Sequence, residues 1–281
     1  MANLRPVNRL QRKMSLASMH KRETSKIILI TLGVLAVIVI NAWIIVTQKP
    51  DILEVPETEQ AEKPVPDFAA IKNVSEKKRA FFRYLRPEVE KQNEYLLSLR
   101  HYVQTLRRQL SSEGRLNSED LRRVAWLSEE YKIDDEQDLD DKLQELLTKI
   151  DILPVNLVLA QAANESAWGT SRFAQKGYNF FGMWCFKRGC GFVPAQRSDG
   201  ASHEVARFDN LSRATYTYLR NINRHPAYHD LRQIRATLRA NQMPITGQAL
   251  AEGLMNYSER GAAYVEELQS MMQFNQEYLS E

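Results

Sequence analysis

Residues 154–184 read PVNLVLAQAANESAWGTSRFAQKGYNFFGMW, and this stretch decides the fold. Pro154 fits the first turn of a helix, and small or apolar side chains follow it in most positions up to Ala167. Such a helix is predicted to be central and buried. After Gly177 the pattern changes to short β-prone segments, so the helix leads into a small sheet.

A single carboxylate, Glu165, lies in this otherwise apolar helix. Helical spacing puts Gln161 four residues before it and Trp168 three residues after it on the same face, where the indole would exclude water. Desolvation raises the pKa of a carboxyl group, as a general acid requires near neutral pH. The alternative is an ordinary helical glutamate that faces water or pairs with Arg172.

The flanking sequence predicts a mostly helical α+β domain. Ser75 is expected to cap a first helix, which Pro87 would kink or split. Helical periodicity predicts further helices at 118–131, 138–150, 214–223, 230–240, 247–254 and 262–278. Short β-prone pieces around 183–186, 192–193 and 205–208 predict a small antiparallel lobe.

The run LVLAQAANESAWGTSRFAQKGYNFFGMW, residues 157–184, resembles the signature of glycoside hydrolase family seventy-three, the bacterial glucosaminidases, which reads roughly LAQAxxESxWGxSxxAxxxxNxFG. Two weaker matches follow in the family's order, FDNLSRA at 208–214 and NYSERGAAYV at 256–265. The resemblance covers roughly residues 75–278. It implies a lysozyme-like fold with a groove between helical and β lobes, and hydrolysis of peptidoglycan after N-acetylglucosamine.

The resemblance also implies catalytic roles. Glu165 takes the place of the family's general acid, and Tyr257 that of a tyrosine near the scissile bond; the alternative for Tyr257 is a packed aromatic. The family's β-lobe acid has no clear counterpart, because Gln196 stands nearest to it. Glu204 is therefore the candidate base, with a solvated strand residue as the alternative. If Glu204 does not serve, the acetamido group of the substrate is the candidate nucleophile.

Five side chains are predicted to bind the glycan: Gln161, Trp168, Asn179, Phe181 and Trp184. Sugar rings present apolar faces, so aromatic side chains exposed at the groove edge would stack on them. Burial in the core is the alternative for Phe181, which follows Phe180. Neither a cofactor nor a metal is expected, because the histidines show no ligand spacing with acids or cysteines.

Residues 27–46, IILITLGVLAVIVINAWIIV, carry no charge, and as a helix they would span roughly 30 Å of hydrocarbon. They predict one transmembrane helix; a cleaved signal is disfavoured because the run is long and lacks small residues at its end. Residues 1–26 carry seven basic residues and one acid, so they are expected to stay cytoplasmic. The chain is then a single-pass inner-membrane protein with its C-terminal part in the periplasm.

Residues 47–74 are predicted to be a linker, since 48–67 hold four prolines and six acidic residues. The catalytic domain then covers 75–281, as a helical lobe (75–150) and a catalytic core (151–281). Cys185 and Cys190, the two cysteines of the chain, are expected to form a disulfide across a short hairpin that turns at 187–189. Two buried free thiols are the alternative.

Three functions remain open from the sequence. The leading one is an endo-β-N-acetylglucosaminidase, and the others are a lytic transglycosylase and a non-catalytic peptidoglycan-binding module. Nucleic acid is not an expected partner, because a net charge of +3 over 281 residues is small and no basic patch contains interleaved aromatics. The expected partners are peptidoglycan strands and the inner membrane.

Overall fold

A computed structural model describes residues 32–40, 54–61, 63–194, 203–256 and 260–280. The chain divides into two units, Met1–Asp51 and Ile52–Glu281. In the first unit, residues 32–40 form helix α1, whose apolar side chains are exposed. The rest of the predicted membrane segment, 27–31 and 41–46, and the basic tail 1–26 lie outside the described residues. No helix in the described part is both long and apolar enough to cross a membrane.

The second unit is mostly helical, as predicted. Its helices are α2 (Val74–Glu113), α3 (Ser118–Tyr131), α4 (Leu139–Lys149), α5 (Val155–Ser166), α6 (Arg172–Gly177), α7 (Leu211–Arg224), α8 (His229–Ala240), α9 (Gly247–Ala251), α10 (Ala262–Phe274) and α11 (Gln276–Ser280). Its strands are β1 (Trp184–Cys185), β2 (Gly191–Phe192) and β3 (Glu204–Ala206). Short 3-10 turns cover Pro226–Tyr228 and Glu252–Leu254. The sequence patterns do not predict α6, and the predicted helix over 262–278 is divided at Asn275.

Helix α2 forms the long side of the second unit. Its N-cap is Asn73, whose side chain accepts a hydrogen bond from the Glu76 backbone N–H at 3.1 Å, so the expected Ser75 cap is wrong. The helix continues through Pro87 and is not split there. Packing of α2 against α4, α5 and α7 offsets the hydrogen bond that the proline removes.

The predicted linker is wrong over its described part. Phe68 is fully buried and packs edge-on against a ring of α2. Thr58 and Ser212 each donate a 2.7 Å hydrogen bond to one oxygen of the buried Glu88 carboxylate. Residues 54–61 and 63–73 therefore belong to the packed unit, because a few anchoring side chains outweigh a linker-like composition.

Helix α5 is the central buried helix that the sequence predicts. Residues 157–163 are buried, and the helix packs against α2, α9 and α10. It ends at Ser166 because Ala167, Trp168 and Gly169 all adopt positive φ values, 51°, 59° and 75°. A Cβ on Gly169 would lie 2.4 Å from the Phe68 ring, so only glycine fits this reversal.

The predicted antiparallel lobe is confirmed as a three-stranded sheet of order β1-β3-β2. Strands β1 and β2 both pair with β3 and lie on either side of it, so the cysteines do not close a simple two-stranded hairpin. The chain still turns at the predicted place, where Cys190 N–H donates to Lys187 C=O at 3.1 Å. Cys185 and Cys190 form a disulfide there, with Cα atoms 6.2 Å apart.

Candidate active site

Glu165 lies in the last turn of α5 and is partly buried. Burial raises the pKa of its carboxyl group, and the negative charge of Glu267 acts in the same direction, whereas a hydrogen bond from Tyr264 opposes them. The negative end of the α5 dipole also disfavours a carboxylate at this position. In the described part of the chain, Glu165 has no ion pair with a cation. These surroundings favour the protonated acid.

Gly182 brings the backbone against this carboxyl group. Its φ of +62° is a conformation that glycine adopts without strain. A Cβ built on it would lie 2.9 Å from Oε2 of Glu165. The glycine that ends the Asn-Phe-Phe-Gly run therefore leaves the space that the acid occupies.

A chain of hydrogen bonds from three helices positions the acid. Tyr264 of α10 donates to Glu165 Oε1 at 3.4 Å, and it accepts from Gln161 Nε2 at 3.2 Å. Tyr218 of α7 donates to Gln161 Oε1 at 2.5 Å, and Phe181 stacks on the Tyr218 ring with centroids 4.0 Å apart. Because Gln161, Tyr218 and Tyr264 are buried, they hold the carboxyl group in one place.

Glu267 adds a second carboxylate to the neighbourhood of Glu165. It follows Tyr264 by one turn on the same face of α10. Arg260 pairs with it at 2.6 Å, and the negative charge of Glu267 acts on Glu165. The sequence patterns do not single out Glu267.

Comparison with known proteins finds one family and one relative. A family model described as mannosyl-glycoprotein endo-beta-N-acetylglucosaminidase matches residues 140–277. The Escherichia coli (strain K12) protein called Protein bax is 30% identical over 221 residues, which cover 77% of this chain and 76% of that protein. The chain belongs to the glucosaminidase family. No solved structure matches it.

The tyrosine that the glucosaminidase resemblance implies, Tyr257, lies outside the described residues. Tyr264, seven positions later in the same quoted stretch, lies against the acid. Tyr264 is the last tyrosine of that stretch, so the motif match already included the residue that contacts the acid. The contact of Tyr264 with the acid depends on the packing of α10 on α5.

Glu204 is buried on β3 and holds the sheet together. Its two carboxylate oxygens accept backbone hydrogen bonds from Gly189 at 3.0 Å and Gly191 at 2.8 Å. These bonds stabilise the loop between β1 and β2, and they support a structural role over that of a free base. Ligand atoms of Glu204, Cys185 and Cys190 cluster within 4.8 Å, but both sulfurs are used by the disulfide.

Three of the residues predicted to bind sugar are buried. Gln161 and Phe181 belong to the hydrogen-bonded and stacked group that positions Glu165. Asn179 uses its side-chain amide on backbone, donating to Met183 and Ala206 C=O and accepting from Met183 N–H. The geometry therefore gives all three a positioning role, and it does not support direct sugar contacts.

Trp168 and Trp184, the two tryptophans predicted to bind the glycan, lie in different surroundings. The expectation that Trp168 lies one helical turn after Glu165 is wrong, because α5 ends before it. Its indole packs edge-on against Phe81 and Phe82 of α2, at 5.6 and 5.4 Å between centroids. Trp184 is 53% exposed on β1, as glycan stacking requires, and its ring lies 3.9 Å from that of His203.

Proposed function

We propose that this chain is an endo-β-N-acetylglucosaminidase that cleaves the β-1,4 bond after N-acetylglucosamine in peptidoglycan, with Glu165 as general acid. One observation carries the proposal: a partly buried carboxyl group, without an ion-pair partner among the described residues, lies against Gly182 and Tyr264. Membership of the glucosaminidase family supports a glycosidase-type enzyme. The peptidoglycan substrate extends the resemblance of residues 157–184 to the bacterial members.

In the proposed reaction, Glu165 gives its proton to the glycosidic oxygen as the bond from that oxygen to the anomeric carbon breaks. The raised pKa of Glu165 keeps that proton available above the pH at which an exposed glutamate has lost it. Tyr264 and Gly182 fix the orientation of the carboxyl group, which proton transfer requires.

The opposite face of the sugar needs a nucleophile. Because the oxygens of Glu204 are engaged by backbone N–H groups, we assign this step to the acetamido oxygen of the substrate, which attacks the anomeric carbon. Water then attacks the same carbon and opens the cyclic intermediate, and Glu165 takes a proton from that water. The acid is thereby restored for the next cycle.

Mass spectrometry of purified peptidoglycan treated with the full chain tests the proposal. New reducing ends that carry N-acetylglucosamine are expected. An anhydro-muramic end would instead identify a lytic transglycosylase, and a reducing muramic acid would identify cleavage of the other glycosidic bond. Absence of any new end, with glycan binding retained, would identify a non-catalytic binding module.

We further propose that residues 27–46 anchor the chain in the inner membrane and place the second unit in the periplasm. The uncharged run and the basic residues before it support this topology. The Cys185–Cys190 disulfide supports it too, since disulfides persist in oxidising compartments. Protease added to spheroplasts should degrade the second unit, whereas protection until lysis would contradict this topology.

A further inference from the structure

A cavity of about 480 Å³ lies beside the candidate acid. Phe181, Gly182 and Tyr218 line it, and the same three residues belong to the group that surrounds and positions Glu165. A ligand bound in this cavity would therefore contact residues that surround and position Glu165. The chemistry of the remaining lining residues indicates what that ligand carries.

One part of the lining is aromatic and accessible. Trp184 is 53% exposed and Phe186 is 77% exposed, and both line the cavity. The disulfide of Cys185, the residue between them, fixes this segment to Cys190. Exposed rings of this kind present flat apolar surfaces on which a pyranose can stack.

Another part of the lining is cationic. Arg220 and Arg224 of α7 line the cavity, and no carboxylate is found among its described lining residues. Glu130 of α3 pairs with Arg220 at 2.6 Å, which leaves Arg224 without an ion-pair partner in the described part of the chain. Arg224 is instead fixed by one 3.0 Å hydrogen bond to the Glu130 backbone C=O. Two guanidinium groups against one carboxylate leave a net positive charge at the cavity.

His225 supplies a neutral donor beside Arg224. Burial lowers its pKa, and the charges of Lys132, Arg232 and Arg224 act in the same direction. Its Nδ1 accepts a hydrogen bond from the Ala227 backbone N–H at 3.2 Å, so the proton of the neutral ring is on Nε2. This N–H can donate to an anion without adding charge.

We propose that this cavity binds a carboxylate carried by a sugar of the substrate, with Arg224 as the principal ligand and Trp184 and Phe186 as the stacking surface. The inference rests on the proposed function and narrows its substrate class to acid-substituted glycans. Muramyl sugars carry such a group, either as the free lactyl carboxylate in peptide-free strands or on the stem peptide in substituted strands. Chitin-type glycans are neutral and lack it.

Titration calorimetry with the full chain tests this carboxylate site. The Glu165→Gln background prevents turnover, and three tetrasaccharide probes are compared: chitotetraose, a peptide-free muramyl glycan and its peptide-bearing form. Arg224→Gln is added to remove the charge. Arg213→Gln is the matched control, because Arg213 lies on the same helix but is exposed and outside the cavity lining.

Arg224→Gln is expected to weaken binding of a carboxylated probe about tenfold, as loss of a charge-assisted hydrogen bond does, and to leave chitotetraose unchanged. A loss confined to the peptide-free glycan identifies the lactyl carboxylate, and a loss confined to the peptide-bearing glycan identifies the stem; either supports the site. Equal weakening for chitotetraose, no weakening, or no binding of carboxylated probes overturns it. Because the readout is binding, failure of the wild-type chain to cleave glycan would contradict only the proposed function.

Discussion

Two acids lie near the two ends of helix α5, one buried and one partly buried, and their surroundings are opposite. Asp151, just before the helix, is 2% exposed, and its oxygens accept from Arg239 at 2.7 and 2.9 Å. Burial opposes ionisation, but the hydrogen bonds of Arg239 and the charges of Arg235 and Arg100 outweigh it, so the pKa of Asp151 is lowered. Asp151 is therefore a structural anion.

Glu165, at the other end, has a phenol and a second carboxylate where Asp151 has guanidinium groups. The pKa shifts consequently have opposite signs and opposite effects on stability. The ionised Asp151 stabilises the fold above its unfolded pKa, and this contribution is lost as pH falls through the folded pKa. The protonated Glu165 is favoured by folding, and its contribution is lost as pH rises through its raised pKa. The charge of the neighbouring side chains, more than burial, decides that Asp151 is a structural anion and that Glu165 favours the protonated form.

The largest expected effect is on activity at Glu165. Glu165→Gln keeps the shape of the side chain but removes the transferable proton, so kcat/KM for glycan cleavage should fall about a thousandfold. The free energy of unfolding should change little, because no cation in the described structure depends on this carboxylate. A Glu165→Gln variant that unfolds, or that keeps the wild-type rate of cleavage, would contradict the proposed difference between Glu165 and Asp151.

Asp151→Asn should have the reverse profile. Removing the charge leaves the guanidinium groups of Arg100, Arg235 and Arg239 uncompensated, and the loss of unfolding free energy should be about 3 to 5 kcal/mol. Urea denaturation measures it. Asp140→Asn, which removes an exposed ion pair with Arg107, is the control and should leave the midpoint nearly unchanged. Equal losses of unfolding free energy in Asp151→Asn and Asp140→Asn would mean that the buried ion-pair cluster around Asp151 does not stabilise the fold.

Gly182→Ala should lower kcat/KM about a hundredfold, because its Cβ would displace the Glu165 carboxyl group from the position that proton transfer needs. Gly189→Ala is the matched control. Gly189 also has a positive φ, +82°, but a Cβ added to it would meet no atom within 4 Å among the described residues. Similar losses in the two variants would assign the effect to backbone strain instead of displacement of the acid.

Tyr264→Phe should lower kcat/KM about tenfold through looser positioning of Glu165. It should also raise the pKa of Glu165, because the phenol hydrogen bond favours the carboxylate. A general acid loses activity as pH rises through its pKa, so the falling limb of the pH profile should move to higher pH. A limb that moves to lower pH would mean that the phenol does not stabilise the carboxylate.

Glu267→Gln should give the smallest change in the pH profile, opposite in direction to the change in Tyr264→Phe. Without the neighbouring negative charge the pKa of Glu165 falls, so the same limb should move to lower pH. Glu266→Gln is the control, since Glu266 is exposed on the same helix. An unchanged limb would show that Glu267 does not act on the acid.

The sequence predicts the part of the site that depends on local pattern. The apolar run around Glu165 is sufficient to predict a central helix that carries one acid, and both expectations about the helix are met by α5. Trp168 is misplaced by the prediction because helical spacing cannot reveal that three successive residues adopt positive φ. Tyr218 and Glu267 come from helices distant in sequence, so only the packing of α7 and α10 brings them together with α5.

The pH dependence of kcat/KM for glycan cleavage by the full chain, measured beside Glu165→Gln, is the sharpest test of Glu165 as the general acid. Activity is expected to be retained above the ordinary glutamate pKa of 4.5 and to fall as pH rises through the raised pKa of Glu165. The Gln variant should keep only about a thousandth of the wild-type kcat/KM at the wild-type optimum. An activity that is already lost as pH rises through 4.5, or a Gln variant with the wild-type profile, would contradict the assignment of Glu165 as the general acid.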